Sequence, residues 1–141
     1  MDIFLYQIKW IANIFVDKNW SFSSCDWKDT LKECKNEDFV YLDPPYYGRH
    51  TDYFNGWSKN DMVELANTCR SLNCGFALSM WNQNIFRKDE LLWELLGDFP
   101  IRIYKHFYHV GSSENYRHAI EEALVIKHGY ESAEINNNRM I

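Results

Sequence analysis

Long apolar runs are missing from this 141-residue sequence: no eighteen consecutive apolar residues occur, which leaves nothing to build a membrane-spanning helix. Asp2 precedes any basic residue, so the positively charged start of a signal peptide is missing too. The default compartment is the cytoplasm. Positive charge is also short, with 15 Lys and Arg against 20 Asp and Glu and a formal net charge of -5, so the whole-molecule field repels a polyanion. Any contact with one has to use local basic groups. The six glycines stand singly and never as Gly-x-Gly. Four cysteines and five histidines occur, but not at the spacing of a structural zinc site. Cys69 with Cys74 is one close pair, whereas His106 and His109 lie in an alternating, strand-like run. The cysteines read as buried reduced thiols, and no metal is expected.

What is present is apolar surface. Hydrophobic residues make up 46% of the chain and aromatics 17%, enough to offset chain entropy and exclude disorder. A chain of this size buries roughly two-thirds of its unfolded surface, which allows one core. There are no internal repeats and no domain linker.

Ile3, Ile8, Ile11, Ile14 and Phe15 recur at helical spacing and predict an amphipathic helix over residues 3 to 16, ending near Lys18 and Asn19. Its apolar face needs a partner. Trp20 to Cys25 carries a weak strand signal, and Asp26 is placed to cap a helix over 27 to 35. Tyr47 to Trp57 reads as a long loop. Ser58 then offers an N-cap to a helix that buries Met62, Leu65, Ala66, Cys69 and Leu72, and Gly75 to Met80 follows as a buried strand. A helix is expected over 85 to 96, stopped by Gly97 and Pro100. Strand signals at Ile101 to Val110 and Ala123 to Ile126, joined by a loop from Gly111 to Arg117, read as an antiparallel pair. This order implies an α/β fold with a mostly parallel sheet and one reversed strand, followed by a disordered tail over 131 to 141.

The most informative segment is the apolar run Phe39, Val40, Tyr41, Leu42, which stops at Asp43, Pro44, Pro45, Tyr46. Proline donates no ladder hydrogen bond and forces its predecessor into extended geometry. Asp43 is therefore held at the carboxyl end of a strand, the edge where open α/β sheets bind ligands. A strand ended by prolines, with a capping Asp, is the structural alternative.

With these residues in view, the sequence resembles the Dam-type, D12 class of adenine-specific DNA methyltransferases, in which a strand ends in Asp-Pro-Pro-Tyr. The resemblance takes in Asp38 to Phe54, Phe76 to Trp81, and the hairpin from Tyr104 through Val110, Gly111, Ser112, Glu114, Asn115 and Arg117 to Glu122, Ala123 and Leu124. It implies a partial Rossmann-like fold, S-adenosyl-L-methionine (AdoMet) as cofactor and DNA with a flipped adenine as partner. Residues 1 to 130 then form the carboxyl-terminal part of a methyltransferase catalytic domain.

The chemistry accounts for the residue types. The adenine amine is a poor nucleophile, because its lone pair is delocalised, and it has to be polarised and aligned. Asp43 and the Pro44 carbonyl accept its two hydrogen bonds, and Tyr46 stacks on the extruded base. An acid at position 43 rather than an amide weighs towards nucleic acid over protein glutamine. Asp43 and Pro45, with Cys25, Asp26 and Trp27 after the weak strand, are the candidate cofactor contacts. Arg49, His50, Tyr53, Phe54 and Arg117 are the candidate DNA contacts, with ordinary loop packing as the other reading of the aromatic and basic loop. Lys105, His109 and His118 could add phosphate contacts or be solvated strand ends.

The family's glycine-rich turn, Phe-x-Gly-x-Gly, does not occur ahead of Asp43, and the expectation is an amino-terminally truncated enzyme. The strand ending at Asp43 then has a bare edge, and one of three outcomes is expected: Trp20 to Cys25 shifts inward to pair with Phe39 to Leu42, an upstream methyltransferase fragment or a second chain covers the edge, or the protein aggregates. Methylation of RNA or protein, and a non-catalytic subunit or relic of a restriction-modification methylase, are the alternative functions.

Overall fold

The computed structural model describes residues 3–16, 18–47, 57–84, 88–107 and 119–131. It divides into two compact units, Met1–Glu33 and Cys34–Ile141.

The first unit holds two helices. α1, Ile3–Val16, follows the apolar periodicity, and Ile8, Trp10, Ile11 and Ile14 on it are exposed. α2, Trp27–Lys32, starts where Asp26 accepts a hydrogen bond from the Lys28 amide at 2.8 Å, and it ends at Glu33, short of the expected residue 35. The anticipated strand at Trp20 to Cys25 is not formed; residues 19–26 have neither helix nor strand geometry. A strand needs a ladder partner, and this unit has no other described strand. The aromatics collect instead around Phe15, whose ring meets Trp20 at 5.0 Å and Phe22 at 5.2 Å between centroids, both edge to face.

The second unit is a four-stranded sheet with two helices. β1 is Phe39–Leu42, β2 Gly75–Gln83, β3 Ile101–Phe107 and β4 Ala119–Ile126, in the spatial order β1-β2-β4-β3. β1 and β2 are parallel, with Leu42 beside Leu78. The last strand inserts between β2 and β3 and runs antiparallel to both. The expectation of a mostly parallel sheet is thus corrected. Three strands share a direction, but β4 keeps β2 and β3 apart, so one ladder of three is parallel. The anticipated reversed strand in a carboxyl-terminal hairpin is β4.

Alternation along β2 puts Phe76, Leu78 and Met80 on one face, all fully buried, and the register adds Val125 and Ala123 beside them. α3, Lys59–Ser71, and α4, Glu90–Leu96, contribute Met62, Leu65, Ala66, Cys69, Leu91, Leu92 and Leu96 to this core. α3 begins in a capping box: the Ser58 hydroxyl accepts from the Asp61 amide at 3.2 Å, and the Asp61 carboxylate accepts from the Ser58 amide at 2.8 Å. α4 begins at Glu90 rather than at 85, because Asp89 is its N-cap and accepts from the Leu92 amide. Arg70, at the end of α3, donates to the Leu95 carbonyl and to Asp98 and so ties the carboxyl ends of the two helices together.

The other face of the sheet is more open, with Phe39, Tyr41 and Tyr104 more than half exposed. No described strand pairs with the second edge of β1. Residues 48–56, 108–118 and 132–141, on which the expected loops and most of the expected tail fall, lie outside the described residues. No described helix is long and apolar enough to cross a membrane.

Candidate active site

β1 is short and sits at the sheet edge, and what it carries at its carboxyl end follows from its anchorage. Four residues of β2, Gly75 to Leu78, run beside it, and the Gly75 amide donates to the Asp38 carbonyl at 3.2 Å. Asp43 is the first residue past the ladder and is exposed; Pro44, Pro45 and Tyr46 are half-buried behind it. In extended backbone Asp43 projects to the same side as Tyr41, two residues earlier. Tyr41 lines an open cleft of about 360 Å³ to which every strand contributes, with Ser79 from β2, Tyr104 and Lys105 from β3, and Leu124 among the residues from β4.

Beyond the level of Asp43 the other strands continue. β2 runs to Gln83, further than its apolar run indicates, and its register to β4 shifts between Trp81 and Gln83. Such a bulge re-aims side chains. Here Asn82 and Gln83 both donate to the same oxygen of Glu121, at 3.1 and 2.6 Å, while Lys105 holds the other oxygen at 3.0 Å. The Asn82 oxygen accepts from the Trp93 indole at 2.9 Å, and the Asn82 carbonyl accepts from the Asp89 amide at 2.7 Å. The hydrogen bond from Lys105, with help from Gln83 and Asn82, holds the Glu121 carboxyl below its ordinary range. Sequence reasoning named Lys105 as a possible phosphate contact but missed its partners Glu121, Asn82 and Gln83. The run Asn82, Gln83, Asn84 directly after an apolar strand was the available signal, since amides at a strand end need partners.

The remaining expected site residues divide by location. Cys25, Asp26 and Trp27 belong to the first unit. There one oxygen of Asp26 caps α2, the Cys25 sulfur lies 3.2 Å from the Thr30 hydroxyl, and Trp27 is half-buried. Arg49, His50, Tyr53, Phe54, Arg117, His109 and His118 lie outside the described residues. The thiols are not alike: Cys69 and Cys74 are buried, as expected, whereas Cys34 is half-buried and Cys25 is exposed on the loop before α2. Burial pushes the Cys69 thiol up to about 12. Among the described residues no group of three His, Cys, Asp or Glu side chains is placed to hold a metal ion.

The model of the D12 class N6 adenine-specific DNA methyltransferase family matches residues 3–110, which take in nearly all of the first unit, the second unit through β3, and the whole β1 to Tyr46 segment. The chain belongs to that family. Comparison with curated proteins gives no match. Membership makes this D12 chain one of a family of DNA methyltransferases, with DNA as the implied substrate. Its mixed α/β sheet is compatible with a methyltransferase fold. Members of the family generally use AdoMet. The reacting end of such a cofactor needs an accessible polar group beside the target amine, and Asp43 is an exposed carboxylate at a strand end.

Proposed function

We propose that this D12 chain takes part in transferring a methyl group from AdoMet to the exocyclic N6 amine of adenine in DNA. In this reading residues 1–130 are part of a Rossmann-like methyltransferase catalytic domain. The observation that carries it is the exposed Asp43 at the carboxyl end of β1, with two prolines fixing the backbone behind it.

Asp43 accepts one amine hydrogen bond and the Pro44 carbonyl accepts the other. Together they draw the nitrogen towards the tetrahedral geometry of the transition state. Proline at 44 offers no N–H to compete for the acceptors. The half-buried Tyr46 supplies an aromatic surface for the extruded base. AdoMet, when bound, would supply a methyl group on a positively charged sulfur; Asp43 and Pro45 would hold its reacting end, and Cys25, Asp26 and Trp27 of the first unit remain candidate contacts from the sequence. Arg49, His50, Tyr53, Phe54 and Arg117 are assigned to DNA.

Methyl transfer from isotopically labelled AdoMet tests this reading, with duplex DNA, RNA and protein offered in parallel. Label is expected in the adenine of DNA. Removing Asp43 in Asp43→Ala takes away the amine's charged acceptor and should cost on the order of a hundredfold or more. Near-normal turnover of that variant, or label entering RNA or protein instead, would overturn the assignment.

A further inference from the structure

Lys105 stands on β3 opposite Glu121, and Glu121 stands opposite Gln83, so these three residues form one row across the sheet. Asp43 follows Leu42, whose partner is Leu78, and is therefore level with Ser79. The row lies about 13 Å further along the strands and about 14 Å across from β1, on the same carboxyl-terminal side, at ordinary strand dimensions. Asp43 and Lys105 are then about 20 Å apart, which corresponds to five or six base-pair rises of ~3.4 Å.

The cluster is built unequally. The Glu121 side chain is 13% exposed, whereas that of Lys105 is 69% exposed. Two amides already satisfy one oxygen of Glu121. An exposed ion pair of this kind contributes little to stability. What the arrangement does is hold an otherwise mobile ammonium, on a largely exposed side chain, in one place. A second cation is ordered from the same network: the Lys88 ammonium lies 5.7 Å from the centre of the Trp93 ring, and the Trp93 indole donates to Asn82. In a chain with a net charge of -5, attraction for a polyanion has to come from such fixed local cations.

We infer that Lys105 is a contact to the DNA phosphate backbone on the far side of the sheet from Asp43, and that Glu121, anchored by Asn82 and Gln83, is the positioning residue that presents it. This rests on the reading of the chain as a DNA-binding methyltransferase and adds a backbone contact to it. The contact carries no sequence information and fixes the register of the duplex on the protein.

The test is the affinity of the full chain for duplexes of several sequences as a function of salt, measured by fluorescence anisotropy, with thermal unfolding alongside. Lys105→Gln should weaken binding equally for every sequence and reduce the salt slope by about 0.9, the loss of one neutralised phosphate. Lys105→Arg should restore the slope. Glu121→Gln is the discriminating variant. Removing a negative charge near DNA tightens binding if Glu121 is only a local charge, whereas loss of its hold on Lys105 weakens binding about threefold to tenfold, the cost of ordering one long side chain. The double variant should bind no more weakly than Lys105→Gln alone. An unchanged slope in Lys105→Gln, or tighter binding by Glu121→Gln, overturns the inference while the methyltransferase reading stands. A wild-type chain that binds no duplex at any salt overturns both.

Discussion

Gly75 opens β2 and faces Phe39 across the parallel ladder, and its substitution by Ala sets two known effects against each other. Glycine inside a strand is less stable than alanine by roughly 0.5 to 1 kcal/mol, and the backbone here has no positive φ that would require glycine. On propensity alone Gly75→Ala stabilises. A Cβ at this position, however, would lie 2.6 Å from Tyr130 Cδ1, 2.7 Å from Phe39 Cδ2, and against Tyr130 Cε1 as well. Carbon atoms settle at about 3.5 to 4.0 Å, so both rings must retreat by about 1 Å. Overpacking costs about 1 to 3 kcal/mol, and since Phe39 and Tyr130 are half-exposed the lower part of that range applies. The net expectation is a loss of up to about 1.5 kcal/mol. Urea unfolding measures it through the shift in midpoint at constant slope. The sign should reverse when the rings are removed: in a Phe39→Ala/Tyr130→Ala background the same Gly75→Ala change should stabilise by about 0.5 to 1 kcal/mol. Stabilisation of similar size in both backgrounds would refute the steric argument.

Thiol labelling at pH 8 should modify Cys25 in the folded chain and reach Cys69 only on unfolding. Because the folded Cys69 thiol is pushed up to about 12 from an ordinary value near 9.0, its contribution to stability is complete below pH 9 and is lost as the pH rises from there towards 12. A urea midpoint that climbs over that interval would contradict the burial of Cys69. Ser58→Ala removes one half of the capping box and should cost about 0.5 to 2 kcal/mol in the same assay. Asp61→Ala added to it should cost less than it does alone, since the two side chains share their bonds.

Where local chemistry decides structure, the sequence could be read directly. Ser58 and Asp61 marked the start of α3, Pro44 and Pro45 marked the end of β1, and the apolar spacing of Met62, Leu65, Ala66 and Cys69 marked a buried face. Where pairing between distant segments decides, it could not. Trp20 and Phe22 have strand-forming side chains but no described strand partner in their unit, so the signal led nowhere. β4 read correctly as the reversed neighbour of β3, yet nothing local in Ala119 to Ile126 announces that it also slots beside β2. The same limit applies to the site. Asp43 was legible because its prolines are adjacent in sequence, whereas Glu121 acquires its role from Asn82, Gln83 and Lys105, which fall on other strands.

The position of Asp43 at a sheet edge that no described strand pairs also bears on solubility. Phe39 to Leu42 is a short strand-forming stretch, with Phe39 and Tyr41 exposed, of the kind that recruits copies of itself, and its protection is chemical: Glu37 and Asp38 stand before it, Asp43, Pro44 and Pro45 after it. The acid that polarises the amine in our reading therefore doubles as a gatekeeper against self-association. A variant such as Asp43→Val would extend the sticky segment up to the first proline, and low activity in it would confound lost chemistry with lost monomer. Asp43→Asn, which keeps a polar side chain at the strand end while discarding the charge, separates the two.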